Sequence, residues 1–294
     1  MFHPLSVLVT GATGQQGGAL ARLLLRRGHH VRALTRKIDS PAAREINRLG
    51  AEVVAGDLND LDALEKAMHG MEAAFAVSTP FEAGMDAEVR QGVTAAHAAR
   101  ASGLKHLVYT SVAAADRRTG IPHFESKYKV EQQIVHLGIP HTIIGPVFFM
   151  ENFISPWFLP DLQKGKLAMA LPPARKLAQI SLDDIAEFAA LALERRQEFL
   201  GKRIDIGSDE VSGLESAGIL SGASGREISY AEVPLEQVRA WSEDFAIMYE
   251  WFDRVGYSID TAALRRDYPQ VGWRTLEQWA AQQSWDILLP QAGG

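Results

Sequence analysis

The sequence predicts an α/β protein with a doubly wound parallel sheet and a smaller C-terminal lobe. Apolar runs typical of buried strands alternate with stretches of helical periodicity as far as Gly207. Such alternation is characteristic of a parallel sheet with helices on its faces. In addition, a glycine-rich turn joins the first apolar run to the first helical stretch, and this is how a βαβ unit begins.

The predicted elements follow in order. Residues 5–10 form a nearly continuous apolar run, the pattern of a strand buried on both faces. Helical spacing of apolar residues comes next, at Ala19, Leu20, Leu23 and Leu24. Further strands are predicted at 30–34, 51–55, 73–77, 106–111, 141–145 and 203–207. Further helices are predicted at 59–68, capped by Asn59 or Asp60; at 85–103; at 123–138; and at 181–194, capped by Ser181.

Composition excludes several classes of protein. The chain has 294 residues, 47% hydrophobic and 22% charged, which suits one large domain or two modest ones. A formal charge of −6 offers no basic footprint, so nucleic acid is not an expected partner. The absence of cysteine excludes disulfides and thiolate catalysis. No metal is expected, because the His29-His30 pair lacks ligand spacing and no cysteine is available.

The N-terminal stretch lacks the basic region of a signal peptide and runs directly into the glycines, so it is interpreted as a strand. No apolar run approaches the ~20 residues that span a bilayer. We therefore expect a cytoplasmic protein that does not enter a membrane.

Three glycines, Gly11, Gly14 and Gly17, lie between the first strand and the first helix. In a βαβ unit the first permits a sharp turn, the second lets the backbone approach a pyrophosphate, and the third permits close packing of helix on strand. The helix N-terminus then offers unpaired N–H groups to the anion. The spacing is GxxGxxG, and a glycine-rich turn without a ligand is the alternative.

The end of the second strand distinguishes the dinucleotides. An acidic residue there binds the ribose 2′-hydroxyl of NAD, whereas a basic residue suits the 2′-phosphate of NADP. This chain has Arg36 and Lys37, with no carboxylate before Asp39. The sequence therefore predicts NADP(H). The alternative is that both are solvated loop charges.

The alternating pattern loosens after Phe149, where aromatic residues, prolines and glycines mix. We predict an NADP(H)-binding Rossmann domain over 1–150, with 178–208 returning to the sheet, and a smaller substrate- or partner-binding lobe from 151–177 and 209–294. Five tryptophans lie in the tail: Trp241, Trp251, Trp273, Trp279 and Trp285. We expect most aromatic side chains of the tail to lie in a core and a minority to line a substrate cleft.

Short motifs spread along nearly the whole chain resemble the NmrA-like family, an atypical branch of the short-chain dehydrogenase/reductases. They are GATGQQGG, LTRK, GAEVVAGDLND, AFAVSTPFE, EVRQG, HLVYTS, HFESKYKVEQ and GPVFFMENF. The resemblance implies a Rossmann domain that holds NADP(H). The family includes reductases of quinones, dyes and aromatic compounds, and also redox sensors that bind NADP without known turnover.

The resemblance also implies roles for individual residues. The glycine loop would hold the pyrophosphate, Arg36 and Lys37 the 2′-phosphate, and the lysine of the HFESK motif the ribose. The full set of implied cofactor-binding residues is Gly11, Ala12, Thr13, Gly14, Gln15, Gln16, Gly17, Arg36, Lys37, Asp57, Leu58, Ser78, Thr79, Pro80, Arg90, Lys127, Phe148, Phe149 and Asn152.

One departure concerns catalysis. Typical short-chain reductases carry Tyr-x-x-x-Lys on the helix after the fifth strand, and here that position has His123 and Lys127. Spacing of i and i+4 places both on one helical face. His123 could donate a proton, since histidine side chains exchange protons near neutral pH, and Thr110 or Ser111 could bind a substrate carbonyl. Alternatively, His123 only packs the start of its helix.

Two functions follow as expectations. The first is reduction of a small quinone-like or aromatic carbonyl or enone substrate with NADPH. The second is a non-catalytic NADP(H) sensor that acts through a regulatory protein partner. The sequence leaves the substrate, the partner and the oligomeric state open, a homodimer being one candidate assembly.

Overall fold

A computed structural model describes residues 3–288, and within them the chain forms twelve strands and thirteen α-helices. The strands are β1 (Ser6–Val9), β2 (His30–Thr35), β3 (Glu52–Ala55), β4 (Ala73–Ala76), β5 (His106–Thr110), β6 (His141–Pro146), β7 (Phe148–Phe149), β8 (Lys166–Met169), β9 (Lys176–Ile180), β10 (Lys202–Ile206), β11 (Asp209–Ser212) and β12 (Ser229–Glu232). The helices are α1 (Gln15–Arg26), α2 (Pro41–Arg48), α3 (Leu61–Met68), α4 (Met85–Ala101), α5 (Pro122–His136), α6 (Leu159–Leu162), α7 (Leu182–Glu194), α8 (Arg196–Phe199), α9 (Gly213–Ser224), α10 (Leu235–Trp241), α11 (Glu243–Arg254), α12 (Thr261–Asp267) and α13 (Leu276–Ala280).

Seven strands form one sheet in the order β10-β6-β5-β4-β1-β2-β3. The pairings among β1 to β6 are all parallel. The chain winds outward from β1 to β3, returns to the other side of β1 at β4, and winds outward again to β6. The carboxyl ends of β1 and β4 therefore mark the point where strand order reverses, and ligands of open α/β sheets bind at such a point. The predicted doubly wound parallel fold is confirmed.

Local capping signals mark the start of several helices. The side chain of Asp60 accepts a hydrogen bond from the backbone N–H of Ala63 at 3.0 Å and caps α3. The Ser181 hydroxyl does the same for Asp184 at 3.1 Å at the start of α7. Helix α2 lies outside the predicted elements, although Ser40 caps it and Pro41 occupies its first position, a pair that is typical of a helix start.

One core cluster lies between one face of the sheet and the helices α3, α4 and α5. Leu8 of β1 belongs to this core, while Val7 and Val9 are also buried but lie outside it. Because successive side chains of a strand point to opposite faces, the other face of β1 is covered as well. This burial on both faces explains why the strands read as continuous apolar runs rather than alternating ones.

The chain divides into two units. The first contains the residues up to Gly145 together with Ile185–Asp205, and the second contains Pro146–Asp184 and the residues from Ile206 onward. Assignment of a cofactor-binding and a substrate-binding domain to these parts of the chain remains a prediction, and residues 1–2 and 289–294 lie outside the described residues.

The second unit has two small sheets, β11-β9-β7 and β12-β8. The expectation was that most aromatic side chains of the tail lie in a core, and of its five tryptophans two are buried. Trp273 and Trp279 are buried, Trp251 and Trp285 are half-buried, and Trp241 is 61% exposed. The indole N–H groups of the buried pair donate to protein oxygens, which makes their burial favourable.

Candidate functional site

The glycine turn has the geometry that the βαβ pattern predicts. Gly11 has φ of +61°, a conformation that favours glycine. A Cβ placed on Gly17 would lie 2.5 Å from the carbonyl oxygens of Thr10 and Gly11, so α1 can approach β1 this closely only with glycine there. Gly14 is the N-cap of α1; no side chain caps that end, and its first turn has no acidic residue. The start of α1 is exposed, so the backbone N–H groups of its first turn can bind an anion.

The rest of the loop differs in exposure. Ala12 is buried, Thr13 is half-buried, and Gln15 is exposed. The half-buried Gln16 accepts a hydrogen bond from the hydroxyl of Thr110 at 2.7 Å through its side-chain oxygen. Gln16 thus connects the glycine turn to the end of β5.

The two basic residues after β2 are exposed. Arg36 Nη2 donates a hydrogen bond to Glu82 Oε2 at 2.7 Å, and the two side chains are 57% and 55% exposed. The backbone N–H of Lys37 donates to the Thr35 hydroxyl at 3.2 Å. The guanidinium at the predicted 2′-phosphate position therefore already has a carboxylate partner, which the sequence analysis did not anticipate.

The ends of β3 and β4 hold the next predicted residues. Asp57 is half-buried, and its carboxylate accepts hydrogen bonds from the backbone and side-chain N–H groups of Asn59 at 2.8 and 2.7 Å. Leu58 packs against the core cluster between the sheet and α3, α4 and α5. After β4, Ser78 is buried, whereas Thr79 and Pro80 are half-buried.

Lys127 lies on α5 and is buried. Its Nζ is 3.0 Å from Glu88 Oε1 of α4, a carboxylate with no exposed surface. It also donates hydrogen bonds to the carbonyl oxygens of Ser78 and Thr110. The Ser126 hydroxyl donates to the other oxygen of Glu88. The predicted ribose ligand is therefore one half of a buried ion pair, positioned between the ends of β4 and β5.

The surroundings of Lys127 set its charge. Burial lowers the pKa of this amine, but the phenolate of Tyr109, which forms only at high pH, and the carboxylate of Glu88 raise it more, so the net direction is upward. The ring of Tyr109 lies 5.5 Å from Nζ, and its hydroxyl is 3.2 Å from the Ser78 hydroxyl. Burial raises the pKa of Tyr109. At neutral pH this site therefore combines an ammonium group with a neutral phenol.

His123 occupies the first turn of α5, after Pro122, and is half-buried. Its ring makes an edge contact with Phe124 at 4.8 Å and a tilted contact with Phe81 at 6.1 Å between ring centroids. Because α5 is helical from Pro122 to His136, His123 and Lys127 do share one helical face. The aromatic contacts fit both a packing role and an orienting role for the imidazole.

The hydroxyls proposed for substrate binding donate within the protein. Thr110 is fully buried and donates to Gln16. Ser111 is buried and donates to Glu131, the residue one turn beyond Lys127 on α5. Both hydroxyl oxygens can still accept hydrogen bonds. Each hydroxyl has only one proton, however, and that proton is already donated to a protein oxygen.

Glu131 belongs to a network that the sequence analysis missed. Arg203 of β10 donates to its carboxylate at 2.8 Å and also pairs with Asp205 at 2.5 Å. Asp205 accepts from the backbone N–H of Ala114, which adopts a φ of +62°, unusual for alanine. Burial raises the pKa of Glu131, although Arg203 acts in the opposite direction. The sequence carried one signal of this network, since Glu131 lies four positions after Lys127 and therefore on the same face of the predicted helix.

The last predicted residues are placed as follows. Arg90 is exposed on α4. Phe148 and Phe149 of the second unit form β7, which pairs with Gln179 and Ile180 of β9. Asn152 is half-buried in a short 3-10 helix of the same unit. The cofactor-binding and catalytic roles of all these residues remain predictions.

The structure also bears on metals and membranes. Residues 3–288 contain no group of three or more histidine and carboxylate side chains arranged to hold a metal ion. Within the same range, no helix combines the length and apolar character required to cross a bilayer.

Comparison with known proteins extends this picture. An NAD(P)H azoreductase of Xenophilus azovorans is 31% identical over 233 residues, which cover 79% of this chain and 79% of that protein. An NADPH-dependent quinone oxidoreductase of Escherichia coli, solved with NADPH, has a TM-score of 0.77 at 23% identity and covers 94% of this chain and 98% of that one. NmrA, a negative transcriptional regulator solved with NADP, has a TM-score of 0.75 at 21% identity, with 95% of both chains covered.

These two structural likenesses show a shared fold. A model of the NmrA-like family matches residues 5–280, nearly the whole chain, and confirms the resemblance seen in the short motifs. The chain therefore belongs to the NmrA-like family.

Proposed function

We propose that this protein is an NADP(H)-dependent oxidoreductase that reduces a small quinone-like or aromatic carbonyl or enone substrate. The observation that carries the proposal is the uncapped N-terminus of α1 behind the Gly11 turn, with Arg36 at the end of the neighbouring strand. An anion-binding helix end and a basic group for a 2′-phosphate are the two features that an NADP site requires.

The residues fit the cofactor. A carboxylate in the first turn of α1 would repel a pyrophosphate, and that turn has none. The close approach at Gly17 would be blocked by any Cβ, so the shape of the turn depends on glycine. The named relatives, an NAD(P)H azoreductase and a quinone oxidoreductase solved with NADPH, support the same cofactor and a reductase activity.

Bound NADPH supplies the hydride, so the protein needs to bind, orient and protonate. The start of α1 would bind the pyrophosphate, and Arg36 with Lys37 the 2′-phosphate. Lys127, positively charged through Glu88, would hold the ribose side of the site near the ends of β4 and β5. His123, on the same face of α5, would give a proton to the substrate oxygen.

NADPH consumption against a panel of quinones, enones, aryl ketones and azo compounds tests the proposal. Turnover well above the background of NADPH oxidation with at least one class is expected. If the protein binds NADPH but turns over none of them, the reductase proposal fails.

A second candidate has its own support. The hydroxyls of Thr110 and Ser111 and the amine of Lys127 all bond to protein groups, which suits a site that binds without catalysis. NmrA itself is described as a negative transcriptional regulator and was solved with NADP. The candidate is a non-catalytic NADP(H) sensor that acts through a protein partner. It predicts NADPH binding without turnover and a partner whose affinity changes with cofactor occupancy.

A further inference from the structure

The loop between β4 and α4, residues 77–84, contacts two predicted parts of the site at once. Glu82 forms an ion pair with Arg36 at 2.7 Å. The neighbouring Phe81 places its ring 6.1 Å from that of His123. One short segment therefore connects the group expected to bind the 2′-phosphate with the group expected to donate a proton.

We propose that Glu82 competes with the cofactor 2′-phosphate for Arg36, so that this residue sets the preference between the phosphorylated and unphosphorylated dinucleotides. The inference rests on the proposed function, since it assumes that Arg36 meets a 2′-phosphate. It assigns a specificity role to a residue outside the glycine loop and outside the end of β2.

The competition follows from charge. Arg36 carries one positive charge, and in the structure that charge faces a carboxylate. A 2′-phosphate brought to the same guanidinium would lie beside Glu82, and like charges at close range disfavour each other. Either Glu82 moves away from Arg36 when the 2′-phosphate binds, or it weakens the contact between Arg36 and the phosphate. A dinucleotide with a free 2′-hydroxyl brings no such charge, so its affinity is not reduced in this way.

Local hydrogen bonds hold the backbone of this loop. The backbone N–H of Gly84 donates to the Pro80 carbonyl at 2.8 Å, and that of Phe81 lies 3.4 Å from the Thr79 hydroxyl. These local bonds make the segment one turn-like unit. With the backbone held in this turn, the 55% exposed side chain of Glu82 can rotate away from Arg36 when a 2′-phosphate binds.

The test is a binding cycle by calorimetry with NADPH, NADH and 2′,5′-ADP. Glu82→Gln is expected to tighten NADPH and 2′,5′-ADP about two- to fivefold, the range of an exposed ion pair, and to leave NADH unchanged. In an Arg36→Ala background, where no guanidinium remains to compete for, Glu82→Gln is expected to tighten NADPH less than it does in the wild type. Glu52→Gln is the matched control, because Glu52 is a 57% exposed partner of Arg32 and its loss removes the same unit charge.

The outcomes separate the two proposals. If the wild type binds NADPH and Glu82→Gln leaves that affinity unchanged, or tightens NADH equally, the competition is refuted and the proposed function stands. The same conclusion follows if the effect is undiminished without Arg36 or appears in Glu52→Gln. If the wild type binds no NADPH, both proposals fail.

Discussion

Replacing Glu88 by glutamine leaves the Lys127 ammonium buried without its counter-ion. The Glu88 side chain has no exposed surface and that of Lys127 is 11% exposed, with 3.0 Å between the charged atoms. Removing one partner of a buried ion pair costs about 3–5 kcal/mol, because the remaining charge stays desolvated. The carbonyl oxygens of Ser78 and Thr110 still bond to Lys127, so we expect the lower half of that range.

The effect depends on pH in a defined direction. The folded pKa of Lys127 is raised above the ordinary 10.5 of a lysine, so the charged amine stabilises the fold. This contribution is complete below that ordinary value and is lost as pH rises through the folded pKa. In Glu88→Gln one cause of the raised pKa is gone. The difference in stability between wild type and variant should therefore be constant near neutral pH and shrink as the pH rises above 10.5.

Denaturant unfolding of four proteins measures the effect: wild type, Glu88→Gln, Lys127→Met and the double variant. The double variant should lose less stability than the sum of the single variants, since neither charge is then buried alone. Asp161→Asn is the control, because Asp161 and Lys164 form an exposed pair at 3.2 Å whose loss should cost under about 1 kcal/mol. Additive single variants, or a Glu88→Gln loss no larger than that of the control, would refute the reasoning.

Three further predictions concern binding, chemistry and pH. Arg36→Ala should weaken NADPH about ten- to hundredfold through loss of a charge-assisted contact while sparing NADH, and equal wild-type affinities for both would contradict it. His123→Ala should lower kcat of the reductase about 10²–10⁴-fold at normal NADPH affinity, with His123→Tyr retaining activity, whereas an unchanged kcat would make His123 structural. Burial raises the pKa of Glu151 from 4.5 to about 7. The folded state then binds this proton more tightly than the unfolded state does. The free energy of unfolding should therefore fall as the pH rises from 4.5 to 7, and thermal unfolding of Glu151→Gln should show a weaker dependence on pH over that range.

The sequence predicted those features whose signals are local. Apolar runs and helical spacing located the strands of the large sheet, and capping residues such as Asp60 and Ser181 marked helix starts. The glycine turn followed from the βαβ context, and Gly11 and Gly17 have the predicted geometry. The one helix missed between β2 and β3 had a local signal, Ser40-Pro41, that was overlooked. Strand propensity, burial on both faces and turn chemistry all act over a few residues, so the sequence displays them directly.

The partners of the candidate site were decided only by the tertiary structure. Arg36 meets Glu82 across 46 positions, and Arg203 meets Glu131 across 72. Glu88, on a different helix from Lys127, gave no sign in the sequence of being its counter-ion. Periodicity reports which face of an element is buried, but not which element lies against it. Charge pairing and pKa direction depend on that neighbour and on desolvation. The fold, the glycine turn and the shared helical face of His123 and Lys127 could thus be predicted from the sequence alone. The charge on Lys127 and the ion pair at Arg36 depend on distant segments that only the tertiary structure brings together.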